Sequence, residues 1–173
     1  MKRLFLMIGL SLTLTFDLLG QQFRAFSTYD DLKRFRIEVL RAGVIGQANY
    51  FDFTDNDSCN KTCIKYLGQV RTSKNRTYEV LTCFNVSGTS CRGSSRIVVY
   101  NSDNEYLGNY WVPLPSYLPD TIIDNSLAFS IPDPDCVNRT ASTISFKNGL
   151  PRIITIHCSE AESEEQFLFS SDE

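Results

Sequence analysis

The chain opens with a basic pair, Lys2 and Arg3, followed by an apolar run from Leu4 to Phe16. Only Gly9, Ser11, Thr13 and Thr15 interrupt it, and it ends at Leu18-Leu19-Gly20-Gln21. A charged n-region, a short apolar stretch and a small residue at its end form a secretory signal peptide over residues 1–20. The run is too short to span a bilayer and no stop-transfer pattern follows. Past residue 21 the pattern changes twice. Leu32, Phe35, Val39 and Leu40 fall at helical spacing, which predicts a helix near 29–41. Ser27 and Thr28 stand three residues before Asp30 and Asp31, like a capping box with Asp in the Glu place. Gly43 is the expected stop. A strand competes for the same residues, because Phe35, Ile37 and Val39 also alternate with charged side chains.

After Gly46 the chain turns polar, and Asp52 to Cys59 reads as a loop closed by cysteines. Apolar and polar positions then alternate in short segments at hairpin intervals. Tyr66–Thr72 and Thr77–Val86 flank the turn Ser73-Lys-Asn-Arg76. Arg96–Tyr100 and Tyr106–Val112 flank Asn101–Glu105. Leu118–Ile123 and Leu127–Ile131 flank Asp124-Asn125. Thr143–Phe146 and Arg152–His157 flank Lys147-Asn-Gly149, whose Asn-Gly pair tolerates the positive φ of a tight hairpin. Consecutive hairpins give antiparallel neighbours. The expected fold is mainly β: an antiparallel meander sheet or small barrel of hairpins, with one N-terminal helix, stapled by disulfides. Residues 21–158 form a single domain. Residues 159–173 form an acidic tail, in which Gln166–Phe169 could instead add a last strand.

Export changes how the six cysteines are read, since an oxidising compartment favours disulfides. Cys59, Cys63, Cys83, Cys91, Cys136 and Cys158 are all assigned to them. Local spacing favours Cys83–Cys91 and Cys136–Cys158, which leaves Cys59–Cys63. No CxxC is present, so neither a zinc module nor a thiol redox motif is indicated, and no cofactor is expected. The charge balance also excludes a partner class. Residues 21–158 carry 15 Lys or Arg against 13 Asp or Glu, while the tail carries six acids and no base. A nucleic-acid footprint would need clustered cations. With no membrane anchor, the mature chain is expected to be a secreted or periplasmic monomer.

Candidate chemistry is sparse. His157 is the one histidine and lies in a strand pattern without a nucleophile motif beside it. Glu79, Asp103, Glu105, Asp120 and Asp124 are the carboxylates a hydrolase could pair, but most stand in turns where Asp serves the backbone. Asp52, Asp55, Asn56 and Asp57 make an oxygen-rich loop without EF-hand spacing. Sequons occur at Asn56, Asn60, Asn75, Asn85 and Asn138. The best contact surface is aromatic: Tyr106, Tyr110, Trp111 and Tyr117. In a regular strand Tyr106 and Tyr110 flank Gly108 on one face and leave a notch for a sugar or a partner side chain. The expected function is therefore a non-catalytic binding domain for an unknown protein or glycan. An inhibitor or immunity-type protein against a secreted hydrolase, and a small carboxylate hydrolase centred on Glu79, are the alternatives.

The run Arg96–Tyr110, then Leu118-Pro119, Asn125–Phe129, Cys136 and Ile144–Pro151, resembles small exported proteins of Bacteroidetes-type bacteria. The similarity covers about the C-terminal half. It implies export, a β-rich fold and sequons without glycans, and it brings no activity and no catalytic residues.

Overall fold

Helix α1 (Tyr29–Ala42) forms where the 3.6-residue pattern predicts it, and buries Phe35, Arg36, Val39 and Leu40 as one stripe. The competing strand would have put Leu40 and Val39 on opposite faces. Gly43 closes the helix at φ 65°, its N–H meeting the carbonyls of Val39 and Leu40 at 3.3 and 3.2 Å. The computed structural model describes residues 29–129, 142–157 and 164–172. The capping candidates Ser27 and Thr28 lie outside them, as does the signal segment. Among the described residues no helix is long and apolar enough to cross a membrane.

Ten strands follow: β1 (Ala48–Asp52), β2 (Cys59–Arg71), β3 (Thr77–Gly88), β4 (Arg92–Asn101), β5 (Tyr106–Val112), β6 (Thr121–Ile123), β7 (Ser126–Phe129), β8 (Ser142–Ser145), β9 (Ile153–His157) and β10 (Glu164–Ser170). They make two antiparallel sheets, of order β1-β2-β3-β4-β5-β10-β9 and β6-β7-β8. Strands β1 and β9 are free edges, so the meander expected from the hairpins forms but does not close into a barrel.

Three local readings change. The polar stretch after Gly46 contains strand β1, whose Phe51 tucks against the Phe35 ring at 4.1 Å between centroids. The acidic tail is a strand in its second half. Phe167 is buried and Phe169 packs against Tyr110, so alternating aromatics outweigh the glutamates before them. The Asn148-Gly149 turn does not make a hairpin. Gly149 takes φ 121° as the pair requires, yet β8 joins the small sheet and β9 joins the large one. Phe146 and Pro151 explain the parting. Phe146 is fully buried in the inter-sheet core, and Pro151 offers no N–H to continue a ladder.

Each face of the large sheet has its own core. Ile64, Tyr66, Leu81, Cys83, Val98 and Tyr100 lie under α1. On the opposite face Val70, Val80, Ile97, Val99 and Tyr110 pack with Leu127, Phe129 and Phe146 of the small-sheet region, and with Ile154, Ile156 and Phe167 of β9 and β10. A bulge at Tyr66/Gly68 inserts Leu67 into this second core while Tyr66 stays in the first.

Candidate functional site

The four aromatics singled out from sequence are not brought together. A register shift between Val99 and Tyr100 sets Tyr106 opposite Tyr100, under the helix, while Gly108 pairs with Val99 on the other face. Tyr106 and Tyr110 therefore do not flank Gly108. Tyr110 is a core residue, 0% exposed, and its hydroxyl donates to the Pro151 carbonyl at 2.5 Å. The notch at Gly108 is filled: a Cβ there would collide with the Phe169 ring and the Ser170 carbonyl. Tyr106 is half-buried and donates to the Asp172 carbonyl at 3.2 Å. Tyr117 is half-buried on the Phe167 ring. Trp111 alone is open to solvent, 56% exposed.

The cysteine pairing is also corrected. Cys59 is bonded to Cys91, with Cα atoms 5.2 Å apart. Cys59 pairs with Gly88 in the ladder, and the turn from Gly88 brings Cys91 back beside it. Cys59 and Cys63 lie four residues apart along one strand, roughly 13 Å, too far for a disulfide. Cys83 sits well along the ladder opposite Arg96 and is likewise out of Cys91's reach. Cys63 and Cys83 are free thiols. Cys63 pairs with Phe84 and Cys83 with Ile64, so the two point to opposite faces. Burial pushes the Cys83 thiol pKa up, opposed by the Arg36 guanidinium beside it; burial also raises that of Cys63, opposed by a hydrogen bond with Tyr50. Cys136 and Cys158 lie outside the described residues.

Of the candidate carboxylates, Glu79 and Glu105 accept side-chain hydrogen bonds. Glu79 is buried under the helix, where the Tyr66 hydroxyl donates to Oε2 at 2.5 Å and Gln69 Nε2 to Oε1 at 2.7 Å. Burial, followed by that bond to Glu79, raises the Tyr66 pKa. Asp103 and Glu105 belong to a turn built on Asn101, whose Oδ1 accepts both their backbone N–H groups at 2.9 Å. Asp120 and Asp124 flank the short strand β6. In the Asp52–Asp57 loop, Asp52 accepts from the Thr54 N–H at 3.0 Å, and Asp55 from Asp57 and Ser58 at 2.9 and 2.7 Å. Those backbone bonds lower both aspartate pKa values. The oxygens thus serve the turn, and no group of three or more His, Cys, Asp or Glu suited to a metal occurs among the described residues. His157 ends β9 opposite Glu164; its side chain is outside the described set. Of the sequons, Asn56 and Asn75 are exposed in turns and Asn60 and Asn85 lie in strands, while Asn138 is not described.

What sequence reasoning missed is a cleft at one end of the large sheet, of about 500 Å³. Its walls are Asn75, Arg76 and Thr77 from the β2–β3 turn and Asn101 and Ser102 from the β4–β5 turn. Tyr78, Leu107 and Leu150 give it an apolar floor. Each wall is held from outside the cleft. The Ser73 N–H donates to the Lys147 carbonyl at 2.8 Å, clamping the β2–β3 turn to the β8–β9 connection. The Thr72 hydroxyl accepts from the Arg76 N–H at 3.0 Å, and Asn125 closes on the Arg71 backbone. Asn101 fixes the other turn, its Nδ2 donating to Glu105 at 2.7 Å. The turns themselves were legible in the sequence; their convergence depends on the β8–β9 connection lying across the sheet, which a hairpin reading precludes. No protein-family model, curated protein or solved structure matches the chain.

Proposed function

We propose that this protein is an exported, non-catalytic binding domain and that its contact surface is the cleft at the turn end of the large sheet. The observation that carries the reading is the cleft's construction. Three turns converge on it, each fixed by its own hydrogen bonds, over a floor continuous with the core. Loops held by a rigid sheet lose little entropy on binding, and its volume suits a small ligand or a few sugar units. The signal-like N-terminus and the Cys59–Cys91 disulfide support export. Placing the site here moves it off the Tyr106–Tyr117 aromatics, three of which are wholly or half buried.

The test is a binding screen of the secreted protein against soluble polysaccharides, run beside Ser102→Trp. Ser102 is an exposed turn residue, so an indole there fills the cleft without entering the core. Binding lost in Ser102→Trp at unchanged melting temperature supports the reading. Retention of full binding moves the contact surface elsewhere.

A further inference from the structure

Two of the three segments around the cleft carry positive charge alone. Residues 71–78 and 145–152, the two segments clamped by the Ser73–Lys147 bond, contain Arg71, Lys74, Arg76, Lys147 and Arg152 and no Asp or Glu. All five cations are exposed, and none is held in an ion pair among the described residues. Elsewhere cations are used differently: Arg34 pairs with Asp31 and Lys61 with Asp52. Asp103 and Glu105 stand on the β4–β5 turn that forms the facing wall and Asp124 on the β6–β7 turn, but none of the three lines the cleft, and the Glu105 carboxylate is held by Asn101.

We propose, resting on the cleft as the contact surface, that its ligand is an acidic oligosaccharide whose carboxylate or sulfate groups are met by Arg76 and the cations around it. Three features select this chemistry. The cations are spread over two clamped segments and only Arg76 among them lines the cleft, which suits charges repeated along a chain better than a single small anion. The floor of Leu107, Leu150 and Tyr78 offers apolar surface to the C–H face of a sugar ring. Between floor and cations, the Asn75 amide and the Thr77 and Ser102 hydroxyls make no hydrogen bond among the described residues, and they are the type of group that hydrogen-bonds sugar hydroxyls. Arg76 is the anchor because it is the one of the five cations that lines the cleft, and a guanidinium can grip a carboxylate or sulfate through two parallel N–H groups.

The experiment is an amide-shift titration of the secreted protein with four probes of equal length: a uronic-acid oligomer, a sulfated oligosaccharide, a neutral glucan oligomer and a single-stranded oligonucleotide. The expected result is shifts at Arg76, Ser102 and Leu150 with one or both acidic saccharides. Affinity should fall with added salt and weaken about tenfold in Arg76→Ala, the loss expected for a charge-assisted pair. Lys33→Ala, which removes an exposed cation from the helix, should leave it unchanged. A response to the uronate alone or to the sulfated probe alone supports the proposal and names the anion. Equal cleft shifts from the neutral oligomer overturn the anionic assignment while leaving the cleft as a binding site. An oligonucleotide that binds as tightly overturns the saccharide. No cleft shift from any probe overturns the proposal, and Ser102→Trp then tests the cleft on its own with the broader polysaccharide panel.

Discussion

One face of the seven-stranded sheet is packed almost wholly with apolar side chains, while the other buries an arginine, a glutamate, a thiol and two tyrosines beneath a helix. Val80, Ile97, Val99, Leu127 and Phe146 on the first face make no directional bonds. They hold the small sheet by area and shape. Under α1, Arg36 is 1% exposed and stands against the Cys83 thiol and the Tyr100 hydroxyl, and Glu79 is gripped by Tyr66 and Gln69. Glu79, Tyr66 and Gln69 contribute less net free energy per atom buried, since each gives up water to gain its bond. Arg36 is the one of these groups carried by the helix, and it meets Cys83 and Tyr100, while the bonds to Glu79 join β2 to β3. The comparison separates two layers on one sheet: apolar packing throughout on one side, and on the other an apolar stripe of Phe35, Val39 and Leu40 with buried polar groups set beside it.

The largest expected effects fall on the close-packed face. Phe146→Ala removes a ring that is fully buried against Tyr78 and should cost about 3–5 kcal/mol in chemical denaturation. A loss under about 1 kcal/mol would mean that the small sheet contributes little to the core. Gly108→Ala tests the same face by overfilling it. Its Cβ would meet the Phe169 ring and the Ser170 carbonyl, at a backbone φ of 152°. Backbone cannot yield as a flexible side-chain end can. The expected cost is at or above the top of the roughly 1–3 kcal/mol that overpacking usually brings. Release of β10 from β5 should accompany it, seen as faster amide exchange at Ser170, which pairs with Asn109 of β5, whereas the Phe169 N–H bonds to the Arg152 carbonyl on the other side.

These two residues also show how far the sequence could be read. The alternation that sets Tyr110 and Val112 on one face was visible, as was the helix from Leu32 to Leu40, but Tyr110 was expected at a contact surface and lies in the core. The position of Gly108 was not, because one extra residue at Val99/Tyr100 turns Tyr106 to the other face, and a bulge leaves no mark in an alternating pattern. The plug that fills Gly108 comes from Phe169, sixty-one positions away, in a stretch whose glutamates suggest a solvated end. The Asn-Gly turn was legible as a turn, but partner choice is tertiary, and β9 pairs with β10 instead of β8. The cleft inherits that difficulty. Its turns are local, while their meeting depends on Phe146 being buried between sheets. The disulfide likewise follows from ladder register, in which Gly88 faces Cys59, and not from spacing.

A smaller, pH-dependent effect tests the polar face. Burial raises the pKa of Tyr66 and Tyr100 under the helix and of Tyr110 on the opposite face, above the ordinary 10.0. Each folded phenol keeps its proton after the unfolded chain has lost it. The stability is fully present below pH 10 and is lost as pH rises through the folded values. Each phenol can contribute a slope of up to about 1.4 kcal/mol per pH unit in that window. Tyr66→Phe with Tyr100→Phe should flatten the alkaline fall more than Tyr110→Phe does. An equal flattening would mean that the helix face is no more sensitive to deprotonation than the packed one. At pH 7 the Tyr66→Phe change has a second consequence, since it leaves Glu79 with Gln69 alone and should cost roughly 1–3 kcal/mol.

The smallest expected effect concerns the two thiols and carries almost no stability change. Cys83 lies at 0% exposure between helix and sheet, where burial holds its thiol protonated, whereas Cys63 is half-buried beside the exposed Tyr50. The thiolate is the reacting form, and access gates it. Iodoacetamide on the folded protein, followed by mass mapping, should therefore label Cys63 first, with Cys83 reacting only as the helix layer opens. The rate at Cys83 then becomes a direct measure of how firmly α1 is held on its face of the sheet. Removing the Tyr66 hydroxyl should speed Cys83 labelling and leave Cys63 labelling as it was. Phe146→Ala, used at a temperature where it remains folded, should do the reverse of what a shared core predicts and leave the Cys83 rate close to its starting value. If Phe146→Ala opens Cys83 as readily as Tyr66→Phe, the two faces unfold as one unit and the distinction between them is one of chemistry without consequence for motion.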